Sequence, residues 1–150
     1  MYSLNLPPYN IKISKKNEKK YVYDPIRRKN VSLTPEEWVR QHFVNFLITA
    51  KSFPQERIAN EVSINVNSTS KRCDTVIYDD YLKPLVIIEY KAPEVAITEY
   101  VFDQISRYNS ALKVPYLIVS NGLMHYCCNI NYEKMEYVFM REIPDYTSIK

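Results

Sequence analysis

Three charged residues stand at a spacing that could do chemistry. Asp74 opens the run DTVIYDD, and after fourteen intervening residues Glu89-Tyr90-Lys91 closes the run KPLVIIEYK. Side chains two apart on a strand share a face, so Glu89 and Lys91 point the same way. If the two runs are neighbouring strands, Asp74 and Glu89 meet as a pair of hard oxygen donors suited to a divalent cation. Lys91 then adds positive charge for an anion such as a phosphate. The competing reading is an ordinary charged strand end carrying a surface ion pair.

The elements that must position these residues follow from the apolar pattern. Leu85, Val86, Ile87 and Ile88 are aliphatic without interruption, which predicts a strand buried on both faces and central in a sheet covered on both sides. Strands are predicted over 61–66, 74–80 and 85–91. The polar loop 67–72 and the turn 79–84 are short enough for antiparallel connections. Parity then sets Asp74, Val76 and Tyr78 on one face of their strand, and Leu85, Ile87, Glu89 and Lys91 on one face of theirs.

Two helices flank this meander. Thr34 as N-cap, Pro35 at the first helical position and Glu36 and Glu37 in the first turn predict a helix to about residue 51, stopping before Pro54. At about 100° per residue, Glu36 shares the side of Val39, Phe43, Leu47 and Ala50, whereas Glu37 lies on the flank. Glu36 is therefore a candidate third carboxylate, against the alternative of a first-turn glutamate reaching solvent. A second helix is predicted over 97–112, with Gln104 and Tyr108 inside its apolar stripe of Ile97, Val101, Ile105, Ala111 and Leu112. A buried amide without partners costs about 1 to 3 kcal/mol, so Gln104 is expected to hold a specific hydrogen bond.

A strand over 116–120 after that helix reads as a right-handed crossover into a parallel neighbour. The runs 124–130 and 135–140 read as a hairpin at one edge, followed by a loose tail over the last ten residues. At the other end, 9–23 reads as a hairpin around a long polar loop, 14–20, closed by Asp24-Pro25. Residues 1–30 carry eight Lys or Arg against two acids, although the whole chain is only +3. Lys15, Lys16, Lys19, Lys20, Arg27 and Arg28, with Arg72, are candidate phosphate contacts; a solvated lysine-rich tip accounts for the hairpin charge equally well.

The expected fold class is α/β in the sense of an α+β mixed sheet with helices packed against it, in one domain. With 46% hydrophobic and 25% charged residues the composition is that of a globular chain. There is no apolar run long enough to span a bilayer, and the first residues lack the order of a signal peptide, so a cytoplasmic protein with no membrane partner is expected. The three cysteines, two of them adjacent at Cys127 and Cys128, fit neither a disulfide framework nor a metal knuckle. They read as packing or surface thiols. His42 and His125 lack a second ligand at a useful spacing, so zinc is not expected.

Asp74 followed by Glu89-Tyr90-Lys91 after an aliphatic strand resembles the PD-(D/E)XK nuclease signature. The order of elements is similar to that superfamily's restriction-endonuclease-like α-β-β-β-α-β core, here over about 31–122, with a basic hairpin at 9–24 and a second hairpin at 124–140. More narrowly, TPEEWVRQ (Thr34 to Gln41), KRCD (Lys71 to Asp74), VIIEYKAP (Val86 to Pro93), QISRY (Gln104 to Tyr108) and PYLIVSNG (Pro115 to Gly122) resemble the N-terminal nuclease domain of type I restriction enzyme R subunits. The resemblance implies that Glu36, Asp74 and Glu89 bind Mg²⁺, with Mn²⁺ as a substitute, and that Lys91 acts at the attacked phosphate. It also implies that Gln104 and Tyr108 form the QxxxY motif beside them.

The implied activity is Mg²⁺-dependent hydrolysis of DNA phosphodiesters. The alternative is a non-catalytic module of the same fold that binds DNA or assembles with restriction or repair subunits. Cys73 stands where the superfamily often has proline, and the helix glutamate is ambiguous by one residue between Glu36 and Glu37. With one glycine in the sequence no Walker A loop can be built, so the ATP-driven motor of an R subunit is not expected in this chain.

Overall fold

The computed structural model describes residues 2–150. The lysine-rich segment is strand rather than loop. Asn17 and Glu18 take φ of 51° and 67°, the left-handed pair that suits a two-residue hairpin turn. Strand β1 (Ile13–Lys16) therefore pairs antiparallel with β2 (Lys19–Asp24), and β3 (Lys29–Ser32) pairs with the other edge of β2. The expected polar loop 14–20 thus shrinks to two residues, and a third strand joins the hairpin. Strand β1 is exposed at all four residues and so carries no alternation by which to recognise it.

Helix α1 (Pro35–Ala50) starts as its sequence dictates. The Thr34 side chain accepts a hydrogen bond from the Glu37 N–H, and the helix ends at Lys51. The main sheet follows with β4 (Ile58–Val66), β5 (Thr69–Tyr78) and β6 (Pro84–Tyr90), then helix α2 (Glu99–Asn109), β7 (Tyr116–Ser120), β8 (His125–Asn131) and β9 (Glu136–Phe139). The spatial order is the chain order, β4-β5-β6-β7-β8-β9. Every pair is antiparallel except β6–β7, which is parallel across the α2 connection, as a strand-helix-strand unit requires.

Alternation along β6 divides the core in two. Val86, Ile88 and Tyr90 pack with Val39, Phe43 and Leu47 of α1. Ile87 packs on the opposite face with Phe102 of α2, Leu112 and Val119. The strand is buried on both faces, as its aliphatic run predicts. All three cysteines are free and buried in these cores. Among the described residues no helix is long and apolar enough to cross a membrane.

Boundaries differ from the sequence reading in several elements, and β4 begins at Ile58 rather than Glu61. Strand β5 begins at Thr69, so the expected loop 67–72 is a tight turn at Asn67, whose φ is 54°. Helix α2 starts two residues later than predicted, because Thr98 caps it by accepting from the Val101 N–H, and residues 110–112 form a separate 3₁₀ turn. The tail is not loose: a short helix, α3 (Tyr146–Ile149), buries Tyr146 against Phe53, and the Tyr146 hydroxyl donates to the Tyr78 carbonyl at 3.1 Å.

A buried polar chain ties the two sheets together. Asp24, fully buried at the end of β2, accepts from Arg27 and from Asn60 Nδ2 at 3.1 Å. Asn60 Oδ1 accepts from the Thr75 hydroxyl at 2.7 Å, and Thr75 accepts from the Tyr90 hydroxyl at 3.0 Å. Arg27 also donates to Glu37 at 2.6 Å, and Arg40 and Gln41 donate to the same carboxylate. Removing one member of such a cluster leaves buried charge uncompensated. We expect Glu37→Ala to cost about 3 kcal/mol, seen by thermal melting as a fall in Tm of about 10 °C; an unchanged Tm would mean the cluster is not structural.

Candidate active site

Strand pairing puts the two carboxylates side by side. Thr75 faces Ile88 and Val76 faces Ile87 across β5 and β6, and one step further along the same register sets Asp74 opposite Glu89. Glu89 follows the alternation of Ile87 toward the face covered by α2, and the Asp74 carboxylate comes within hydrogen-bonding reach of it. The Tyr90 N–H donates to Asp74 Oδ2 at 2.9 Å, and the Lys91 N–H donates to the Ser120 carbonyl at 2.9 Å. Asp74, Glu89, Tyr90 and Lys91 line one cleft with Thr34, Glu36, Arg40 and Glu61. A larger and more apolar cavity, lined by Ile97, Phe102, Tyr126, Tyr137 and Met140, is separate from these carboxylates.

Glu89 is electrostatically unusual. Burial, and then the neighbouring Asp74 carboxylate, push its carboxyl up to about 9, and the opposing influences of Asn109 and Lys91 do not offset them. Burial and the facing Asp74 charge therefore favour a proton shared by this carboxylate pair in the metal-free protein. Its Oε1 is buried without a hydrogen-bond partner, and among the described residues the only other such side-chain atom is Asn109 Oδ1. Asn109 sits at the last residue of α2, is 4% exposed, and donates from Nδ2 to the Ile105 carbonyl at 3.0 Å. Buried acceptors of this kind call for a proton, a water or a cation as partner.

These donors fit a hard divalent cation. Mg²⁺ is commonly held by one or two carboxylates while it keeps several waters, and the Asp74–Glu89 pair with its orphaned oxygen supplies that kind of donor set. No three His, Cys, Asp or Glu side chains converge into a ready-made metal cluster among the described residues. Glu36 lines the cleft but does not complete a preformed trio.

The helix glutamates exchange the places expected from the wheel. Glu37 is the buried one, at 4% exposure, and Glu36 is exposed on the rim of the cleft. The wheel counted apolar neighbours and took no account of Arg27, arriving from the turn after β2, or of Arg40 and Gln41. These satisfy the Glu37 carboxylate where it is buried. Arg40 reaches further: it donates to the Asp74 carbonyl at 2.6 Å, pairs with Glu61 at 2.9 Å, and lies 5.7 Å from the centre of the Tyr90 ring. Glu61 takes φ of 55° at the one position where β4 and β5 leave their ladder, opposite Asp74. For a residue with a Cβ that conformation is uncommon and tends to mark functional sites.

Gln104 and Tyr108 are not in the core. The buried side of α2 is Phe102, Ser106 and Asn109, whereas Gln104 and Tyr108 are exposed, and the Gln104 amide donates to the Tyr100 hydroxyl at 2.8 Å. Ile97, Ile105 and Leu112 of the predicted stripe do pack into the core, but Ser106 and Asn109, not Gln104 and Tyr108, are its buried polar members. Asn109 is accordingly the residue that sequence reasoning missed. Its one available signal was its place directly after Tyr108.

Among the basic candidates, Lys15, Lys16, Lys19, Lys20 and Arg28 are exposed on or beside the three-stranded sheet, and Lys15 lies 3.7 Å from Glu18. Arg72 is exposed and donates to Glu61 at 3.1 Å. Arg27 differs: its side chain is 15% exposed and is held between Asp24 and Glu37, which commits it to the fold rather than to a phosphate.

Comparison with known proteins agrees with this architecture. A search of curated proteins finds no match. Among solved structures, the chain is similar to a fragment described as the HsdR subunit of a type I restriction enzyme from Vibrio vulnificus YJ016, with a TM-score of 0.54 and 14% identity over 78% of this chain and 24% of that one. It is also similar to a chain in a cryo-EM structure of a DrdV–DNA complex, with a TM-score of 0.46 and 19% identity over 73% of this chain and 11% of that one. The chain thus spans about a quarter or less of the length of these structures. The family model described as type I restriction enzyme R protein N terminus matches residues 35–144, and the chain belongs to that family.

Proposed function

We propose that this domain is a metal-dependent DNA nuclease of the type I restriction R-subunit kind. The observation that carries the reading is the Asp74–Glu89 pair beside Lys91, with a buried and unpartnered Glu89 Oε1. A divalent cation bound there supplies Lewis-acid polarisation of a phosphodiester and a more acidic water. In this reading Asp74, fixed by the Tyr90 N–H, and Glu89 hold the cation, and Lys91 stabilises charge developing on the phosphoryl oxygens. Glu36, on the rim of the same cleft, would be the further carboxylate available to that cation. Membership of the type I restriction enzyme R protein N-terminal family supports DNA and further restriction subunits as partners. A non-catalytic module of the same fold is the alternative, and DNA binding without cleavage would establish it.

Plasmid DNA incubated with Mg²⁺ or Mn²⁺ should be cut by the wild-type protein. With Glu89→Ala the rate should fall on the order of 100-fold or more while the circular dichroism spectrum is kept. Absence of cleavage by the wild type on any DNA form would remove the enzymatic reading.

The raised Glu89 carboxyl gives the metal affinity a pH sign. Cation binding must displace the proton that the Asp74–Glu89 pair keeps below about 9. Mn²⁺ affinity by calorimetry should therefore rise with pH, at about tenfold per unit when one proton is released per cation, and level off near 9. Glu89→Gln should abolish that slope, and an affinity independent of pH between 6 and 8 in the wild type would contradict the assignment. Asn109→Ala should weaken Mn²⁺ binding by about tenfold, as loss of a partner beside a metal ligand does. Asn109→Asp, which keeps an oxygen acceptor there, should restore it.

A further inference from the structure

The solvent face of α2 is built like a platform. Tyr100 is 70% exposed and Tyr108 47% exposed. Gln104 lies between them at helical spacing, its amide bonded to the Tyr100 hydroxyl. Positions 100, 104 and 108 form a row along one side of the helix about 12 Å long. Lys71, from the first half of β5, places its ammonium 4.4 Å from the centre of the Tyr108 ring. Arg107 is exposed on the same side of the helix, whereas the acids Glu99 and Asp103 line the separate apolar cavity on the other flank.

The row ends next to the site. Asn109 follows Tyr108 in the chain and adjoins the Glu89 carboxyl, and Lys71 stands three residues before Asp74. An exposed row of aromatic faces with cations beside it is what an unpaired strand requires: bases stack on the rings and phosphates meet the cations. A paired duplex offers no free base faces to such a row.

We propose that Tyr100, Gln104 and Tyr108, with Lys71 and Arg107, bind a single-stranded DNA segment by base stacking and lead it to the Asp74–Glu89 cleft. This rests on the nuclease reading for the destination of the strand, but the binding itself does not require cleavage. Tyrosines also favour protein interfaces; in that case the row would be indifferent to unpaired DNA.

The experiment measures fluorescence anisotropy of a labelled single-stranded oligonucleotide, and of the blunt duplex of the same length, in EDTA so that neither is cut. The intact wild-type chain should bind the single strand more tightly than the duplex. Tyr100→Ala and Tyr108→Ala should each weaken single-strand binding by about tenfold and duplex binding by less than about twofold. Tyr100→Phe, which keeps the ring and loses the hydroxyl, should match the wild type. Lys71→Ala should lower the slope of log affinity against log salt by about one.

Thermal melts of each variant separate a lost contact from a lost fold. Equal binding of both DNA forms, or no change on removing either ring in a folded variant, overturns the proposal. Glu89→Ala is expected to keep the single-strand preference. A cleavage failure with that preference intact therefore counts against the nuclease reading alone, and cleavage with no preference counts against the platform alone.

Discussion

The buried carboxylate of Glu37 is the constraint on which the geometry of this domain depends. A charge removed from water must be paired, and Glu37 meets that condition with donors from two directions: Arg27 from the turn after β2, and Arg40 and Gln41 from its own helix. Because Arg40 also grips the Asp74 carbonyl and Glu61, the cluster pins the N-terminus of α1 against β5 where the acidic pair begins. Glu36 is one residue, or about 100°, from this anchor. It is thereby directed to the cleft rim while its neighbour is committed to the fold.

The central strand β6 carries that order across the sheet. On the α1 side, Tyr90 lies beneath Arg40 and continues the hydrogen-bonded chain through Thr75 and Asn60 to Asp24. Along the same strand the Tyr90 N–H fixes Asp74. On the α2 side, Glu89 faces Asn109, and there the satisfaction of polar groups stops. Native proteins leave few buried acceptors without a partner, and here both such atoms among the described residues are on these two side chains. The α1 side of the strand is a closed structural network, whereas on the α2 side Glu89 Oε1 and Asn109 Oδ1 have no hydrogen-bond partner.

How much of this could be read from the sequence depended on whether a residue's partners were local. The start of α1 was legible because Thr34, Pro35 and Glu37 make their capping contacts within one turn. The burial of β6 was legible because four aliphatic residues in a row leave no polar face. The pairing of Asp74 with Glu89 followed from parity and a short turn. What escaped were assignments decided by distant chain. Glu37 is buried because Arg27 reaches it; α2 turns Phe102, Ser106 and Asn109 inward, two of them polar; and Tyr146 docks on Phe53 nearly a hundred residues away in the chain. A wheel that scores only apolarity cannot find a helix face buried through hydrogen bonds.

Fold and activity remain separate questions for a family member, since a scaffold can outlast its chemistry. A glutamate held in a buried position where its carboxyl is pushed up to about 9, with an oxygen lacking a partner, is costly to a domain whose only task is to present a surface. Replacing such a group by an apolar one of similar volume is often neutral or stabilising. A module needing only the exposed lysines of the three-stranded sheet, or the tyrosine row of α2, has no use for a buried Glu89 carboxyl. Exchange of a proton of the Asp74–Glu89 pair for a bound cation would offset that cost, because cation binding contributes free energy to the folded state.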